Sequence, residues 1–309
     1  MALLLAPVGS AGAQWLRYIA AEVPDLEVRI WPEVGDKADI DIAAVSHLPH
    51  GVLASLPNLR LIISLTACAE ALLSDPALPR NVPLVRSSEP GGDPMMNETA
   101  LMHVLRHHRL MHEYLLSQQR REWKPLARVR AEERRVGVMG LGMIGLPCAQ
   151  ALARHGFQVA GWARRPRTVE GIEVYHGRAQ LPAFLARSEI VVNLLPVTRE
   201  TENILCRETF DLLPKGAALV NLARGQHVVD ADLIAALDSG RLAAATLDAF
   251  RVEPLPKESP LWAHPRITIM PHVARRLDPA TIAHRVCENI LRLRRGEPLL
   301  YPIDRDAGY

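Results

Sequence analysis

Three residues in the second half of the chain, Arg224, Glu253 and His272, have side chains suited to acid catalysis. A guanidinium can hold a carboxylate through two parallel hydrogen bonds, and an imidazole can deliver a proton near neutral pH. A glutamate that hydrogen-bonds the other ring nitrogen would orient the imidazole and favour its protonated form. Taken singly, each residue also has a purely structural interpretation. Together they indicate proton transfer to an anionic substrate that carries a carbonyl group.

A glycine-rich segment, Gly140-Leu-Gly-Met-Ile-Gly145, lies between a predicted strand at 135–139 and a predicted helix at 143–155. Such a pattern alone is common, but its strand-turn-helix setting is the one that a dinucleotide loop requires. The first glycine would make the tight turn, the second would admit a pyrophosphate, and the third would let the helix approach the sheet. The helix N-terminus would attract the phosphates. We therefore predict a cofactor loop made of Gly140, Gly142, Met143, Ile144 and Gly145.

The next predicted strand, 158–162, ends without an acidic residue. An Asp or Glu at that point would bind the ribose 2′-hydroxyl of NAD and repel a 2′-phosphate. Instead Trp162 is followed by Ala163, Arg164 and Arg165, and a guanidinium suits a phosphate. Arginine is abundant throughout this chain, so the missing acid carries more weight than the arginines. We predict that Trp162, Arg164 and Arg165 contribute to the cofactor site, with NADPH preferred over NADH.

The order of apolar and helical patterns predicts an α/β protein with two Rossmann-like or flavodoxin-like domains, each a doubly wound parallel sheet. The first ninety residues alternate short apolar runs with helices, and residues 87–94 have the Ser, Pro, Gly and Asp composition of a domain crossing. Further strand-helix units follow, and a last helix at 279–295 should return to the first domain. We therefore expect a substrate domain made of 1–92 and 275–309, with a dinucleotide-binding domain, 93–274, inserted into it.

Composition excludes several classes of function. The 309 residues are 49% hydrophobic with a formal net charge of +2, which gives no reason to expect nucleic acid or an acidic membrane surface as a partner. No apolar run reaches the roughly 20 residues of a membrane helix. The apolar start, 1–7, has no Lys or Arg before Arg17, so it predicts a buried strand rather than a secretion signal. We expect a cytoplasmic protein.

The four cysteines are scattered without a CxxC pair, which favours free buried thiols over a zinc ribbon or a disulfide framework. They are Cys68, Cys148, Cys206 and Cys287. The chain therefore offers no metal site built from cysteine.

A stretch from 95 to 119 lacks Gly and Pro and has apolar residues at helical spacing, which predicts one long helix. It carries four histidines, and two pairs at four-residue spacing could hold a metal on one helical face. They are His103, His107, His108 and His112. No glutamate stands in the metalloprotease position, and no third ligand is evident. We therefore favour a solvated or interface face over a metal site.

Five motifs, including the glycine-rich segment, occur along the chain in a fixed order. They are Gly140-Leu-Gly-Met-Ile-Gly145, Asn193-Leu-Leu-Pro-Val-Thr-Arg-Glu-Thr201, Val220-Asn-Leu-Ala-Arg-Gly225, Leu247-Asp-Ala-Phe250 through Glu253-Pro-Leu-Pro256, and Pro271-His-Val-Ala274. Together they resemble the D-isomer-specific 2-hydroxyacid dehydrogenase family over nearly the whole chain. The likeness is strongest to its glyoxylate/hydroxypyruvate reductase A branch, whose members end much like 303–309 and tend to use NADPH.

The resemblance implies reduction of small 2-keto acids, such as glyoxylate and hydroxypyruvate, to D-2-hydroxy acids by hydride transfer from NADPH. Arg224, Glu253 and His272 would be catalytic, with His272 as the general acid. The nicotinamide would be lined by Leu195, Pro196, the Leu222 carbonyl and Asp248. The substrate would contact Ala67, Cys68, Arg224 and His272. A homodimer through the nucleotide domain is also implied, and the 95–119 helix could supply its contact.

The chain departs from the family pattern around the substrate. The segment Leu65-Thr-Ala-Cys-Ala-Glu70 lacks the glycine usual in the carboxylate-binding loop, Ser46 replaces a tryptophan, and Arg275 and Arg276 follow the histidine where small or apolar residues are usual. A wider or more cationic pocket would fit a bulkier 2-keto acid, which is one alternative. The other is a corepressor-like interaction protein that uses the same fold to sense a dinucleotide.

Overall fold

The computed structural model describes residues 1–7, 12–66, 69–87, 94–275 and 279–305. The chain divides into two compact units, one made of Met1–Glu89 with Leu277–Tyr309 and the other of Pro90–Arg276. Each unit contains one parallel sheet with helices packed on it. The predicted α/β class with an inserted domain is confirmed. The assignment of substrate and dinucleotide roles to the two units remains a prediction. The predicted crossing at 87–94 lies outside the described residues except for its two ends, Ser87 and Pro94.

The strands in chain order are β1 (Ala2–Ala6), β2 (Glu27–Ile30), β3 (Ile40–Val45), β4 (Leu61–Ser64), β5 (Leu84–Arg86), β6 (Arg135–Met139), β7 (Gln158–Ala163), β8 (Glu173–His176), β9 (Ile190–Asn193), β10 (Ala217–Asn221), β11 (Leu242–Leu247) and β12 (Ile267–Ile269). The α-helices are α1 (Gly12–Glu22), α2 (Glu70–Leu73), α3 (Pro94–His108), α4 (Met111–Gln119), α5 (Gly145–Arg154), α6 (Leu181–Arg187), α7 (Arg207–Leu212), α8 (Asp230–Asp238) and α9 (Pro279–Arg295). Within the described ranges no helix is both long and apolar enough to span a bilayer.

The first unit has a parallel sheet of order β2-β1-β3-β4-β5. Every residue of β1 is buried, as expected for a central parallel strand covered on both faces, so the predicted N-terminal strand is confirmed. The helices α1 and α9 cover one face, where Ile19 and Val286 join the same apolar cluster as Leu3. The last helix therefore packs on the first unit, as predicted. The chain then pairs beside β5, where the Ile303 N–H donates to the Leu84 carbonyl at 2.9 Å.

The second unit has a parallel sheet of order β12-β11-β10-β9-β6-β7-β8. The chain moves outward from β6 through β7 to β8 and then returns to β9 on the other side of β6. Ligands of open parallel sheets bind beyond the carboxyl ends of the strands at such a reversal of strand order. The glycine loop follows β6 and Leu194 follows β9, so both lie at this point. The edge strand β8 had no counterpart among the strands expected from the sequence.

The predicted long helix at 95–119 is wrong, because the structure has two helices there, α3 and α4. Leu110, between them, has a φ of 56°. This left-handed conformation cannot continue a right-handed helix and is uncommon for a leucine. Since the segment contains neither glycine nor proline, its sequence gave no sign of the break.

The histidines of α3 and α4 are buried within the second unit, so the prediction that they lie on a solvated or interface face is also wrong. His103 is 2% exposed and His107 is 3% exposed. His107 Nε2 is 3.0 Å from Thr246 Oγ1 on β11, and the His108 ring packs edge-on against Phe157 at 5.2 Å between centroids. Burial lowers the pKa of His103 to about 4 and that of His107 to about 3. Among the described residues no group of three His, Cys, Asp or Glu side chains is placed to hold a metal ion.

No disulfide joins the cysteines in the described ranges. Cys148 and Cys287 are buried as predicted, but Cys206 is only partly buried. Burial raises the pKa of Cys287 to about 12, so this thiol stays protonated at physiological pH.

We predict that acid destabilises the second unit through its buried histidines. An unfolded histidine titrates near pH 6.5, whereas His103 and His107 resist protonation when folded, so the unfolded state binds more protons below that pH. The free energy of unfolding should therefore keep its full neutral-pH value above about pH 6.5 and decrease as the pH falls toward about 4. Both ring nitrogens of His103 are buried without a described partner. Replacing His103 should therefore reduce the acid-induced decrease in the free energy of unfolding by roughly 2 kcal/mol at about pH 5.

Urea unfolding of wild type, His103→Leu and His47→Leu at neutral and mildly acidic pH measures this effect. His47 is exposed, so the matched change there should leave the acid sensitivity as it is. An acid sensitivity of His103→Leu equal to that of wild type would contradict the explanation.

Candidate active site

The residues with predicted chemical roles follow neighbouring strands of the second sheet. Because these strands are parallel, their carboxyl ends share one edge. The glycine loop follows β6, Leu195 and Pro196 follow β9, Leu222 and Arg224 follow β10, Asp248 and Glu253 follow β11, and His272 follows β12. The second unit alone therefore places each of them on the edge where a ligand of this fold would bind.

The glycine loop has the geometry of a phosphate-binding turn. Gly140 has a φ of 93°, in the left-handed region, and a Cβ there would lie 2.9 Å from the Leu194 carbonyl oxygen. A Cβ on Gly145 would lie 1.7 Å from the Gly140 carbonyl oxygen, so α5 begins directly against the turn. At Gly142 no heavy atom lies within 4 Å of the Cβ position. The loop is therefore closely packed at two glycines and open at the third, beside the N-terminus of α5, which fits a pyrophosphate.

Trp162 supports this loop from the core. Its side chain is 8% exposed, and the indole Nε1 donates to the Gly177 carbonyl at 2.8 Å. Its backbone carbonyl accepts a hydrogen bond from Gly140 N at 2.9 Å. Position 162 thus acts on the turn through its backbone, whereas its indole is committed to the protein interior.

The arginines after β7 lie where ribose recognition occurs in this fold. Arg164 and Arg165 are exposed and directly follow Ala163, the last residue of the strand. Arg167, which the sequence interpretation missed, donates a hydrogen bond from Nη1 to the Leu141 carbonyl inside the glycine loop. The available signal was a third arginine in the same run, after Pro166. A cationic segment without a carboxylate therefore adjoins the loop, as a 2′-phosphate would require.

Leu195 and Pro196 form a turn whose carbonyl is fixed by side chains behind it. Leu195 is 8% exposed. The Pro196 carbonyl accepts hydrogen bonds from Thr201 Oγ1 at 2.7 Å and from His227 Nε2 at 3.2 Å. Neither Thr201 nor His227 was given a role from the sequence, because only the fold brings them to this turn.

Arg224 lies on a turn that is pressed against the next loop. The side chain is half-buried, and its Nη1 donates to the Ala223 carbonyl at 2.8 Å. A Cβ on the following Gly225 would lie 1.9 Å from the carbonyl carbon of Phe250. Only glycine permits this approach, which keeps the Arg224 turn beside the loop that carries Glu253. Leu222, on the same turn, is buried and its N–H donates to the Asn193 carbonyl at 3.2 Å.

Glu253 and His272 form a hydrogen-bonded pair. His272 Nδ1 is 2.7 Å from Glu253 Oε2, and Glu253 Oε1 accepts a hydrogen bond from Phe250 N at 2.8 Å. Because the carboxylate accepts, Nδ1 carries a hydrogen, which leaves Nε2 as the nitrogen that can face a substrate. The imidazole is 46% exposed, so it is accessible from solvent.

Asp248 holds the backbone that follows the histidine. It is 2% exposed, and its two carboxylate oxygens accept hydrogen bonds from Val273 N at 2.8 Å and Ala274 N at 3.0 Å. Burial raises the pKa of Asp248, and these two hydrogen bonds oppose that effect. His272 itself has a φ of 55°, in the left-handed region that favours glycine. Both oxygens of Asp248 therefore bind the backbone of the turn at His272, and its contact with a nicotinamide remains a prediction.

The predicted substrate loop of the first unit is only partly described. Ala67 and Cys68 lie outside the described residues. The preceding Thr66 is described, with its Oγ1 3.1 Å from Ser64 Oγ. Ser46, at the end of β3, is buried with 6% exposure. Arg276 also lies outside the described residues.

Comparisons with known proteins agree with this geometry. Residues 101–274 match the family model described as "D-isomer specific 2-hydroxyacid dehydrogenase, NAD binding domain", which is more than half of the chain. The chain belongs to the D-isomer specific 2-hydroxyacid dehydrogenase family. The glyoxylate/hydroxypyruvate reductase A of Serratia proteamaculans is 40% identical over 301 residues, which cover 96% of this chain and 96% of that protein.

Solved structures show the same family relationship. A dehydrogenase of the family from Xanthobacter autotrophicus Py2, in complex with NADPH and MES, has a TM-score of 0.94 and 43% identity over 100% of this chain and 99% of that one. The NADPH-dependent glyoxylate/hydroxypyruvate reductase of Sinorhizobium meliloti, in complex with NADP and sulfate, has a TM-score of 0.91 and 33% identity over 100% and 99%. These likenesses confirm an NAD(P)-dependent 2-hydroxyacid dehydrogenase of the reductase A branch.

In this dehydrogenase, alanine substitutions at two loop glycines should impair different properties, dinucleotide binding in one case and folding stability in the other. Gly142→Ala meets no atom of the protein, so it should fold normally but weaken NADPH binding, because the added methyl occupies the approach to the pyrophosphate. Gly145→Ala should destabilise the unit itself by about 1–3 kcal/mol or more, because its Cβ meets the Gly140 carbonyl. Thermal unfolding without ligand and fluorescence titration with NADPH separate the two effects. Unchanged affinity in a folded Gly142→Ala variant would remove the loop from the cofactor site.

Proposed function

We propose that this dehydrogenase reduces small 2-keto acids to D-2-hydroxy acids with NADPH, and that glyoxylate and hydroxypyruvate are its substrates. The observation that carries the proposal is the pair between His272 Nδ1 and Glu253 Oε2 at 2.7 Å, on the sheet edge that also carries Arg224 and the glycine loop. The names of the relatives from Serratia and Sinorhizobium, both glyoxylate/hydroxypyruvate reductases, support the same two substrates. NADPH supplies the hydride when it is bound.

Arg224 orients the substrate in this proposal. Its guanidinium holds the substrate carboxylate and the neighbouring keto oxygen, which fixes the carbonyl carbon for attack. Negative charge develops on the keto oxygen as the hydride arrives, and a fixed cation stabilises it. The tight contact between Gly225 and Phe250 keeps the Arg224 turn beside the Glu253 loop.

His272 supplies the proton. Protonated at both nitrogens, its imidazole donates from Nε2 to the keto oxygen while Nδ1–H remains bonded to Glu253. The product is an alcohol, and the histidine is left neutral until solvent protonates it again. Glu253 is fixed by the Phe250 N–H, so it acts by orienting the ring with Nε2 toward the substrate.

The preference for NADPH rests on the end of β7. Arg164 and Arg165 follow Ala163, and no acidic residue is present in 163–167 to repel a 2′-phosphate. Both solved relatives named above contain NADPH or NADP. No disulfide joins Cys148, Cys206 and Cys287, which supports the cytoplasmic location that we also propose, since disulfides are rare there.

The experiment is a kinetic panel of glyoxylate, hydroxypyruvate, pyruvate and phenylpyruvate with NADPH and NADH, followed by loss of nicotinamide absorbance. We expect the highest kcat/KM with NADPH and one of the first two acids. His272→Gln should lower kcat by about 10²–10⁴-fold, because the positioned acid is lost. Arg224→Lys should lower kcat/KM by about tenfold or more, since an ammonium cannot replace a planar fork.

His264→Gln is the matched control, because His264 also faces a carboxylate, that of Asp238 at 3.3 Å, but lies ahead of β12 rather than behind it. It should retain full turnover. Absence of turnover with every keto acid would refute the reductase assignment. Best activity with phenylpyruvate would instead assign the enzyme to a bulkier 2-keto acid.

We also propose a homodimer that uses the segment around α3 and α4. Large apolar side chains are exposed there, with Met102 50%, Leu115 39% and Trp123 101% exposed. Trp123 lies in a segment without regular structure whose neighbours are exposed as well, so it has no packing role within the chain. Burial of such side chains is the usual source of stability in a symmetric dimer.

Sedimentation equilibrium of wild type and Trp123→Glu tests this contact. Wild type should sediment as a dimer. The dimer of the variant should have a larger dissociation constant than that of wild type, because burying a carboxylate is costly. Trp262→Glu is the control, since Trp262 is 53% exposed on a different segment, after β11. A monomeric wild type, or equal dissociation of both variants, would contradict the assignment.

A further inference from the structure

Two asparagines meet at the carboxyl edge of the central strands of the second sheet. Asn193 ends β9 and Asn221 ends β10, and the two are register partners in the parallel pair. Both are fully buried. The Asn193 Nδ2 donates to the Asn221 Oδ1 at 2.9 Å. A buried amide is tolerated only when its hydrogen bonds are satisfied, so the surroundings of this pair determine its effect.

The remaining atoms of the pair bind the two turns that leave the strands. Asn193 Oδ1 accepts from Leu195 N at 3.3 Å. On the other side, Asn221 Nδ2 donates to the Arg224 carbonyl at 3.0 Å, and its Oδ1 also accepts from Ala223 N at 3.3 Å. A carbonyl can only accept and an N–H can only donate, so these partners define the orientation of both amides. The pair therefore links the Leu195 turn to the Arg224 turn through the interior.

His227 makes a second link between the same turns. It is fully buried on the short helical turn after Arg224, and its Nε2 is 3.2 Å from the Pro196 carbonyl. Because that carbonyl accepts, Nε2 carries the hydrogen of this bond. The Thr201 hydroxyl, 2.7 Å from the same oxygen, fixes the carbonyl from another direction. The Pro196 turn is thus attached to the Arg224 turn by the asparagine pair and by the histidine.

We propose that Asn193, Asn221 and His227 form a positioning network that sets the Arg224 turn relative to the Leu195 and Pro196 turn. The inference rests on the proposed function, in which Arg224 anchors the substrate carboxylate and Leu195 and Pro196 line the nicotinamide. Hydride transfer needs reacting atoms about 3–3.5 Å apart, and a displacement of about 1 Å can cost about a hundredfold in rate. A buried network that joins the two turns fixes their separation, and thereby the distance between substrate and nicotinamide, without contacting either ligand.

Aspartate at either asparagine tests the network with little change of shape. Asn221→Asp keeps an acceptor for Ala223 but places an oxygen against the Arg224 carbonyl. Asn193→Asp removes the donor to Asn221. Each should lower kcat by about tenfold to a hundredfold, with a smaller change in NADPH affinity, because a misplaced turn impairs the reaction more than cofactor binding. In Asn221→Asp the ratio of variant to wild-type kcat should rise as the pH falls, since the protonated carboxyl regains a donor toward Arg224.

Asn289→Asp is the matched control. Asn289 is also fully buried, its Nδ2 donates to the Arg285 carbonyl at 3.3 Å, and its Oδ1 accepts from Leu300 N at 2.8 Å, but it belongs to α9 of the first unit. It should lower thermal stability with kcat retained. If the aspartate variants lose no more kcat than Asn289→Asp, the positioning role is refuted.

His227 gives an independent measurement should the aspartate variants fail to fold. His227→Gln retains an N–H that can reach the Pro196 carbonyl, whereas His227→Leu removes it. We expect kcat to survive in the first and to fall in the second, and equal kcat in both would overturn the role of His227. The outcomes also distinguish a failure of the proposed function from a failure of the positioning network. A wild type inactive on all 2-keto acids refutes the proposed function together with this inference, whereas an active wild type with equally active variants refutes the inference alone.

Discussion

Parallel strand pairing is the constraint on which the candidate site depends. Because β6, β9, β10, β11 and β12 run in the same direction, each delivers its following loop to the same edge of the sheet. Strand pairing thereby brings a glycine loop, an arginine and a histidine that are far apart in the sequence to one edge. The reversal of strand order between β6 and β9 opens the crevice that this class of sheet uses for ligands. The loops then need only local adjustment, which the backbone contacts and buried polar groups provide.

Close backbone contacts make that adjustment rigid. At Gly145 and Gly225 a side chain would lie within 2 Å of a neighbouring main chain, 1.7 Å in the first case and 1.9 Å in the second. These contacts fix the start of α5 against its turn and the Arg224 turn against the Glu253 loop. Gly142 differs, because nothing of the protein approaches it. Gly145 and Gly225 therefore permit close backbone packing, whereas Gly142 leaves room for a ligand.

The sequence was sufficient where a signal is local. The apolar runs predicted the strands around the glycine loop to within a residue or two, and the order of motifs identified the family. It was insufficient where the outcome depends on packing. The left-handed Leu110 that divides α3 from α4 has no sequence marker, and the position of His107 against Thr246 of β11 cannot be read from the spacing of the histidines. The missed Asn193 stood inside a recognised motif, but its partner becomes visible only when β9 and β10 pair.

The turn at His272 shows how a buried polar group holds a strained backbone conformation. A non-glycine residue at a φ of 55°, as in His272, costs on the order of 1–3 kcal/mol. Two backbone hydrogen bonds to the Asp248 carboxylate, from Val273 N and Ala274 N, fix the chain that follows the histidine. The pKa of Asp248 is nevertheless raised, because burial disfavours its charge by more than these two hydrogen bonds favour it. The histidine is therefore held in a conformation that the local chain does not favour, because the aspartate binds the two residues after it, and a ring held in this way needs only Glu253 to complete its orientation.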